Sequence, residues 1–157
     1  MAQQRTAAAQ EVADQLKAAL GDQRYADFER SSDRDYQQLA QLEQSENLPT
    51  GTAVQAYNLR DSLSQESNRI FNDATLNVDQ KRAALQSLAQ STRTQLLATL
   101  GPTAGDAYIR TANSWLGSVE RGGAVTFSAT TTQFRSLPPA RPPAVTGAGG
   151  GGAVLTK

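Results

Sequence analysis

LNVDQKRAALQSLAQSTRTQLLATLGPTAGDAYIRTANSWLGSV, residues 76–119, is the stretch whose reading decides the fold. Asn77-x-x-Gln80 is an N-terminal capping box: the Asn side chain caps, and the Gln reaches back to the cap backbone. Asp79 falls in the first turn, where the positive end of a helix dipole favours an anion. Leu85, Leu88, Thr92, Leu96 and Leu100 recur at steps of three and four residues, the period of one helix face. Gly101-Pro102 stops that helix, because Gly takes backbone angles closed to other residues and Pro cannot continue the hydrogen-bond ladder. Thr103-x-x-Asp106 then opens a further helix carrying Tyr108, Ile109, Ala112, Trp115, Leu116 and Val119.

Working outward, the same signals recur upstream. Residues 52–72 hold Ala56, Leu59, Leu63 and Ile70 on one face. At about 1.5 Å per residue this helix is roughly 30 Å long, and it is expected to fold back on 78–99 as an antiparallel hairpin. Asn47-Leu48-Pro49-Thr50-Gly51 breaks the chain before it. Tyr36, Leu39 and Leu42 mark a shorter helix to about residue 46, with Ser32-x-x-Asp35 read as its capping box. Tyr25 and Phe28 sit on a brief helix over residues 23–30. Val12, Leu16, Ala19 and Leu20 mark a first helix over residues 6–20, stopped at Gly21. A faint echo links the two ends: Leu20-Gly21 precedes Phe28-x-Arg30 as Leu100-Gly101 precedes Tyr108-x-Arg110, 80 residues on. Leu followed by a helix breaker is a common helix ending, so coincidence is the simpler reading and duplication the sharper one.

The fold class expected is all-α: an antiparallel helical hairpin within a small bundle of five or six helices, residues 1–121. Residues 122–157 read as a disordered, flexible Thr/Pro/Gly-rich tail. Within it VTFSATTTQF has β character, which without a partner strand supports at most a strand docked on something else. Large apolar residues are thinly spread, so the helices carry narrow stripes rather than a thick core. A homodimer is expected to cover leftover apolar surface.

Formal charge balances at 15 cations and 15 anions, but unevenly. Residues 1–46 hold five Lys/Arg and nine Asp/Glu; residues 121–157 hold Arg121, Arg135, Arg141 and Lys157 and no acid. An acidic head thus precedes a basic tail, and zero net charge gives no reason to expect a nucleic-acid partner. The chain has neither Cys nor His. Disulfides, thiol nucleophiles, imidazole bases and Cys/His zinc sites are excluded together. No run of residues approaches the 18–20 apolar positions that span a bilayer, so no membrane span is expected.

Leu76-Asn77-Val78-Asp79-Gln80 resembles the L-T-x-x-Q motif of Spy/CpxP-type periplasmic proteins. Leu76 and Gln80 match, Asn77 replaces Thr as another good cap, and Leu100-Gly101-Pro102-Thr103-Ala104 keeps only the Leu of a second motif. The resemblance covers about 45 residues. It implies a long capped helix in an all-α hairpin, cradle-shaped dimers that bind unfolded clients or sense envelope stress, and a periplasmic or secreted location with a leader removed. The domain with its LGDQRYADFER opening is also similar to helical domains of uncharacterised secreted bacterial proteins. Without the resemblance, a cytoplasmic location stands equally.

Each candidate site has a plainer reading beside it. Asp27, Glu29, Asp33 and Asp35 crowd one turn and suit a hard cation, but interleaved Arg30 and Arg34 make solvated ion pairs the simpler account. Lys81, Arg82 and Arg93 on the central helix suit a client-facing or polyanion-facing surface, or a solvated face. Trp115 and Leu116 suit a partner surface if exposed and the core if not. Pro139-Ala140-Arg141-Pro142 is a PxxP without a properly spaced Arg, and a linker is the plainer reading. No catalytic residue, metal or cofactor is expected. The function expected is a non-enzymatic helical protein-binding module, a Spy-like envelope chaperone or stress-related binding protein, using Lys81, Arg82, Arg93, Trp115 and Leu116 beside the Leu76/Gln80 motif. The alternative is a structural or assembly module whose basic Pro/Gly tail tethers it to an acidic partner surface.

Overall fold

A computed structural model describes residues 2–128 and 131–139. In chain order these form α1 (Ala2–Leu20), α2 (Asp22–Ser31), α3 (Arg34–Ser45), α4 (Thr52–Asn72), α5 (Val78–Glu120), β1 (Gly123–Phe127) and β2 (Thr132–Ser136). The all-α class and the hairpin of α4 with α5 are as the sequence predicts. No described helix is long and apolar enough to cross a membrane.

The hairpin is set by its caps and its seam. Asn77 Oδ1 accepts from the Gln80 N–H at 2.9 Å, while Gln80 Oε1 accepts from the Asn77 N–H at 2.9 Å. Two backbone donors that a helix start leaves unsatisfied are thereby paired. At the start of α4 the cap comes from another helix: the Glu43 carboxylate of α3 accepts from Ala53 N–H at 2.6 Å and Gly51 N–H at 3.3 Å. That places a negative charge at the positive end of α4's dipole. Along α4 the buried positions Ala53, Ala56, Arg60, Leu63, Ser67 and Ile70 alternate steps of three and four. They meet Leu85, Ala89, Thr92, Leu96 and Leu100 of α5, all buried, in the seam pattern of packed antiparallel helices.

α5 bends where expected. Gly101 has φ 79° and ψ 167°, outside the helical region and in a region essentially restricted to Gly. Pro102 opens the second arm, residues 102–120, where its missing N–H costs nothing. The bend carries Tyr108, Trp115, Leu116 and Val119 into the core. Gly21, between α1 and α2, has φ 79° and ψ 160°. The sequence echo is therefore a backbone echo, the same bend made twice.

The surroundings of the two bends differ. The buried stripe Ala89, Thr92, Leu96, Leu100 has its counterpart 80 residues earlier in Ala9, Val12, Leu16 and Leu20. Among the described residues, α1 packs against no element except α2. Val12 is left 58% exposed and Phe28, the counterpart of the fully buried Tyr108, 50% exposed.

The expected flexible tail from residue 122 is corrected over its first part. β1 and β2 form an antiparallel hairpin with Val125 opposite Phe134, and Ala124 and Val125 are buried. An isolated two-stranded ribbon is marginal in water; this one is held from outside. On the edge of β1 away from β2, Val125 N–H donates to Ser67 Oγ at 3.2 Å, and Val125 C=O accepts from Ser64 Oγ at 2.9 Å and Asn68 Nδ2 at 2.8 Å. Short polar side chains of α4 thus replace a third strand. Arg135 of β2 reaches Asn68 and Asn72 at 3.1 and 3.0 Å and lies over the Phe71 ring. Residues 140–157, with the remainder of the PxxP and the Gly run, lie outside the described residues.

Candidate functional site

The least expected residue in the α4 seam is Arg60. It occupies a position where the three-and-four stepping calls for an apolar side chain, and it is 3% exposed. Such burial requires the charge to be paired, and of its N–H groups only Nε lacks a hydrogen-bond partner among the described residues. Arg60 Nη2 lies 2.8 Å from Asp33 Oδ2 and Nη1 lies 3.2 Å from Asp33 Oδ1, a two-pronged pair; Nη1 also donates to Asp35 Oδ2 at 2.7 Å. Nη2 donates to the Tyr57 hydroxyl at 3.0 Å, and that hydroxyl donates to Asp33 Oδ2 at 2.9 Å. The guanidinium is layered between two rings, its carbon 4.3 Å from the Tyr57 centre and 4.1 Å from that of Phe127. A flat, weakly hydrated cation with forked donors is suited to this arrangement, and an ammonium is not.

The clamp joins the α2–α3 turn, α4 and the end of β1. Asp33 also caps α3, its Oδ1 accepting from Asp35 N–H at 2.8 Å. This corrects the expected Ser32-x-x-Asp35 box by one residue. It also corrects how the acidic cluster is compensated: Asp33 and Asp35 are neutralised by Arg60 from α4, while Arg30 pairs with Asp27 at 3.3 Å. Burial alone would push the Asp33 carboxyl up, but the Arg60 hydrogen bonds and charge outweigh it and hold it below the usual range. Burial pushes the Tyr57 hydroxyl up, and its bond to Asp33 adds to that against the opposing Arg60 charge. Arg60 is held protonated by the two carboxylates despite burial.

Beside the clamp a cleft of about 550 Å³ opens between α2, α4 and the end of β1. Tyr25, Phe28 and Glu29 line it from α2, Asp61 and Gln65 from α4. Asp61 Oδ1 is 3.6 Å from Arg60 Nε, beyond hydrogen-bond length. Burial raises the Asp61 carboxyl above its ordinary value, with the Arg60 charge only partly opposing this. Among the described residues Arg60 and the more distant Arg30 offset that burial only in part.

The residues chosen from sequence do not meet at this cleft. Trp115 and Leu116 are 3% and 0% exposed; Trp115 sits edge-on to Phe127 at 5.9 Å behind the clamp. Both are core residues, which removes them from any docking surface. Lys81 Nζ donates to Phe71 C=O at 2.8 Å and braces the α4–α5 turn. Arg82 donates to Pro138 C=O at 2.6 Å, holding the chain beyond β2, and Arg93 pairs with Glu120 at 3.3 Å across the bend of α5. Leu76 is half-buried against the core and Gln80 is exposed, closing the cap. The three cations thus tie the fold together. Among the described residues no group of three or more His, Cys, Asp or Glu side chains is placed to hold a metal ion. No family model, no curated protein and no solved structure matches this chain.

Proposed function

We propose that this chain is a non-enzymatic protein-binding module whose docking surface is the α1–α2 arm and the cleft at its base. One observation carries the reading. The bend at Gly21 repeats the bend at Gly101, yet the stripe that α5 buries against α4 is, among the described residues, left uncovered on α1–α2, with Val12 58%, Leu20 37% and Phe28 50% exposed. An apolar stripe on a helix without a packing partner is a surface suited to another protein. Within this class the resemblance at Leu76 and Gln80 favours a Spy-like envelope chaperone, periplasmic or secreted, that holds unfolded clients.

The test is suppression of aggregation of a chemically unfolded client by the full chain. Suppression is expected, together with its loss in the triple variant Val12→Glu, Leu20→Glu, Phe28→Glu, whose circular dichroism should match the parent because all three side chains are exposed. Absence of suppression by the parent chain removes the chaperone reading, and undiminished suppression by the triple variant removes the arm as its surface.

A further inference from the structure

The cleft beside Arg60 has a chemistry more specific than an apolar arm. Tyr25 and Phe28 from α2 and Phe127 from β1 line it together with two carboxylates, Glu29 and Asp61, and the clamp's own Asp33, Tyr57 and Arg60 share the lining. Four carboxylates, Glu29, Asp33, Asp35 and Asp61, surround the clamp and its cleft, and among the described residues Arg60 is the one cation hydrogen-bonded into that group. Arg60 spends those bonds on Asp33 and Asp35. Glu29 and Asp61 receive no hydrogen bond from any cation of the described residues.

The protein already demonstrates what such a composition holds. At the clamp, two rings and two carboxylates fix a guanidinium in one plane. The adjoining cleft offers rings and carboxylates in the same combination, open to the outside. Aromatic faces attract cations through their quadrupole, and a planar fork meets a carboxylate with two parallel bonds. The volume exceeds one side chain, leaving room for an apolar neighbour against the half-exposed Phe28.

We infer that the cleft between α2, α4 and the end of β1 receives an arginine side chain of a bound polypeptide, with Glu29 and Asp61 taking its guanidinium and Tyr25 and Phe28 covering the flat face and the residue next to it. This deepens the protein-binding reading and rests on it. The raised carboxyl of Asp61 accords with it, since a cation arriving there relieves a charge that burial disfavours.

The test is an amide NMR titration of the full chain with the capped peptide acetyl-Ala-Arg-Leu-amide and with its citrulline counterpart, which keeps the shape and loses the charge. Shifts are expected at residues 25–29, 61, 64 and 65 with the arginine peptide, weakening as salt is raised. The citrulline peptide is expected to bind about tenfold more weakly, a typical loss for one charge-assisted pair. Asp61→Asn with Glu29→Gln should lower arginine affinity by a similar factor and leave citrulline affinity unchanged. Both side chains lie outside the clamp's hydrogen bonds, so the fold is expected to persist. Equal binding of the two peptides, shifts centred elsewhere, or no shifts at millimolar peptide would overturn the inference. Client suppression that survives those outcomes leaves the docking arm standing, whereas arginine-selective shifts without client suppression strike the chaperone reading alone.

Discussion

Arg60→Met is the perturbation that most sharply separates a structural clamp from an incidental ion pair. Met keeps much of the volume and fits the seam period, but removes four hydrogen bonds from the cation, two to Asp33, one to Asp35 and one to the Tyr57 hydroxyl. It leaves those carboxylates facing each other beside Tyr57, with side chains 22% and 33% exposed. Breaking a buried pair by deleting one partner costs about 3–5 kcal/mol. Partial exposure of both carboxylates lets water recover part of this, so the lower end, about 3 kcal/mol, is expected. For a chain of this size that lowers Tm by about 6–12 °C. The triple variant Arg60→Met, Asp33→Asn, Asp35→Asn should regain most of the loss, because replacing a whole buried ion cluster is often near neutral and Asn at 33 still caps α3. Urea unfolding followed by circular dichroism reads both. A loss under about 1 kcal/mol for the single variant, or no recovery in the triple, would refute the clamp as a source of stability.

Four further outcomes are expected. Gly101→Ala forces Ala to φ 79°, with no neighbour within 4 Å of the new Cβ, so its cost is purely conformational, about 1–3 kcal/mol in thermal unfolding; Gly21→Ala carries the same strain, but among the described residues α1 rests only on α2, and global Tm should move by less than about 2 °C. Asn77→Ala deletes half of the capping box and should cost about 1 kcal/mol in urea unfolding. Tyr108→Phe removes a buried hydroxyl with no partner among the described residues and should be neutral or stabilising by up to about 1 kcal/mol, whereas Tyr108→Ala should cost about 3–5 kcal/mol. The pH profile has two opposed parts. Asp33, lowered when folded, adds stability present above its ordinary 3.8 and lost as pH falls through its folded value. Asp61, raised when folded, costs stability at neutral pH and ceases to do so as pH falls through its folded value to 3.8. Asp61→Asn should therefore be slightly more stable than the parent at pH 7 and converge with it below pH 3.8.

The parts of the fold legible in the sequence are those governed by local rules. Asn77-x-x-Gln80, the steps through Leu85, Thr92, Leu96 and Leu100 and the Gly101-Pro102 break each act within one or two turns and are found where the spacing puts them, except that Ala89 rather than the half-buried Leu88 takes the core position between Leu85 and Thr92. The β-hairpin was not legible as an ordered unit because its stabilising partners are distant: Ser64, Ser67 and Asn68 look like the solvated face of α4 until Val125 is laid beside them. Arg60 is hidden in the sequence for the opposite reason. Apolar stepping picks Leu59 as the stripe residue, yet Leu59 is only half-buried and Arg60 fully so. The available signal was the position itself, an Arg four after Ala56 and three before Leu63, combined with surplus acid at Asp33 and Asp35 that Arg30 and Arg34 do not neutralise. Trp115 and Leu116 show that aromatic richness marks core and surface alike until a neighbour decides between them.

The docking role of the α1–α2 arm is tested most directly by site-specific photo-crosslinking. Benzoylphenylalanine placed singly at positions 12, 20 and 28 lies on the uncovered stripe, and at position 95 it lies on an exposed face of α5 away from it. With an unfolded client present, crosslinks are expected from 12, 20 and 28 and not from 95. Equal crosslinking from all four positions, or crosslinking confined to 95, would contradict the arm as the surface that takes a protein partner.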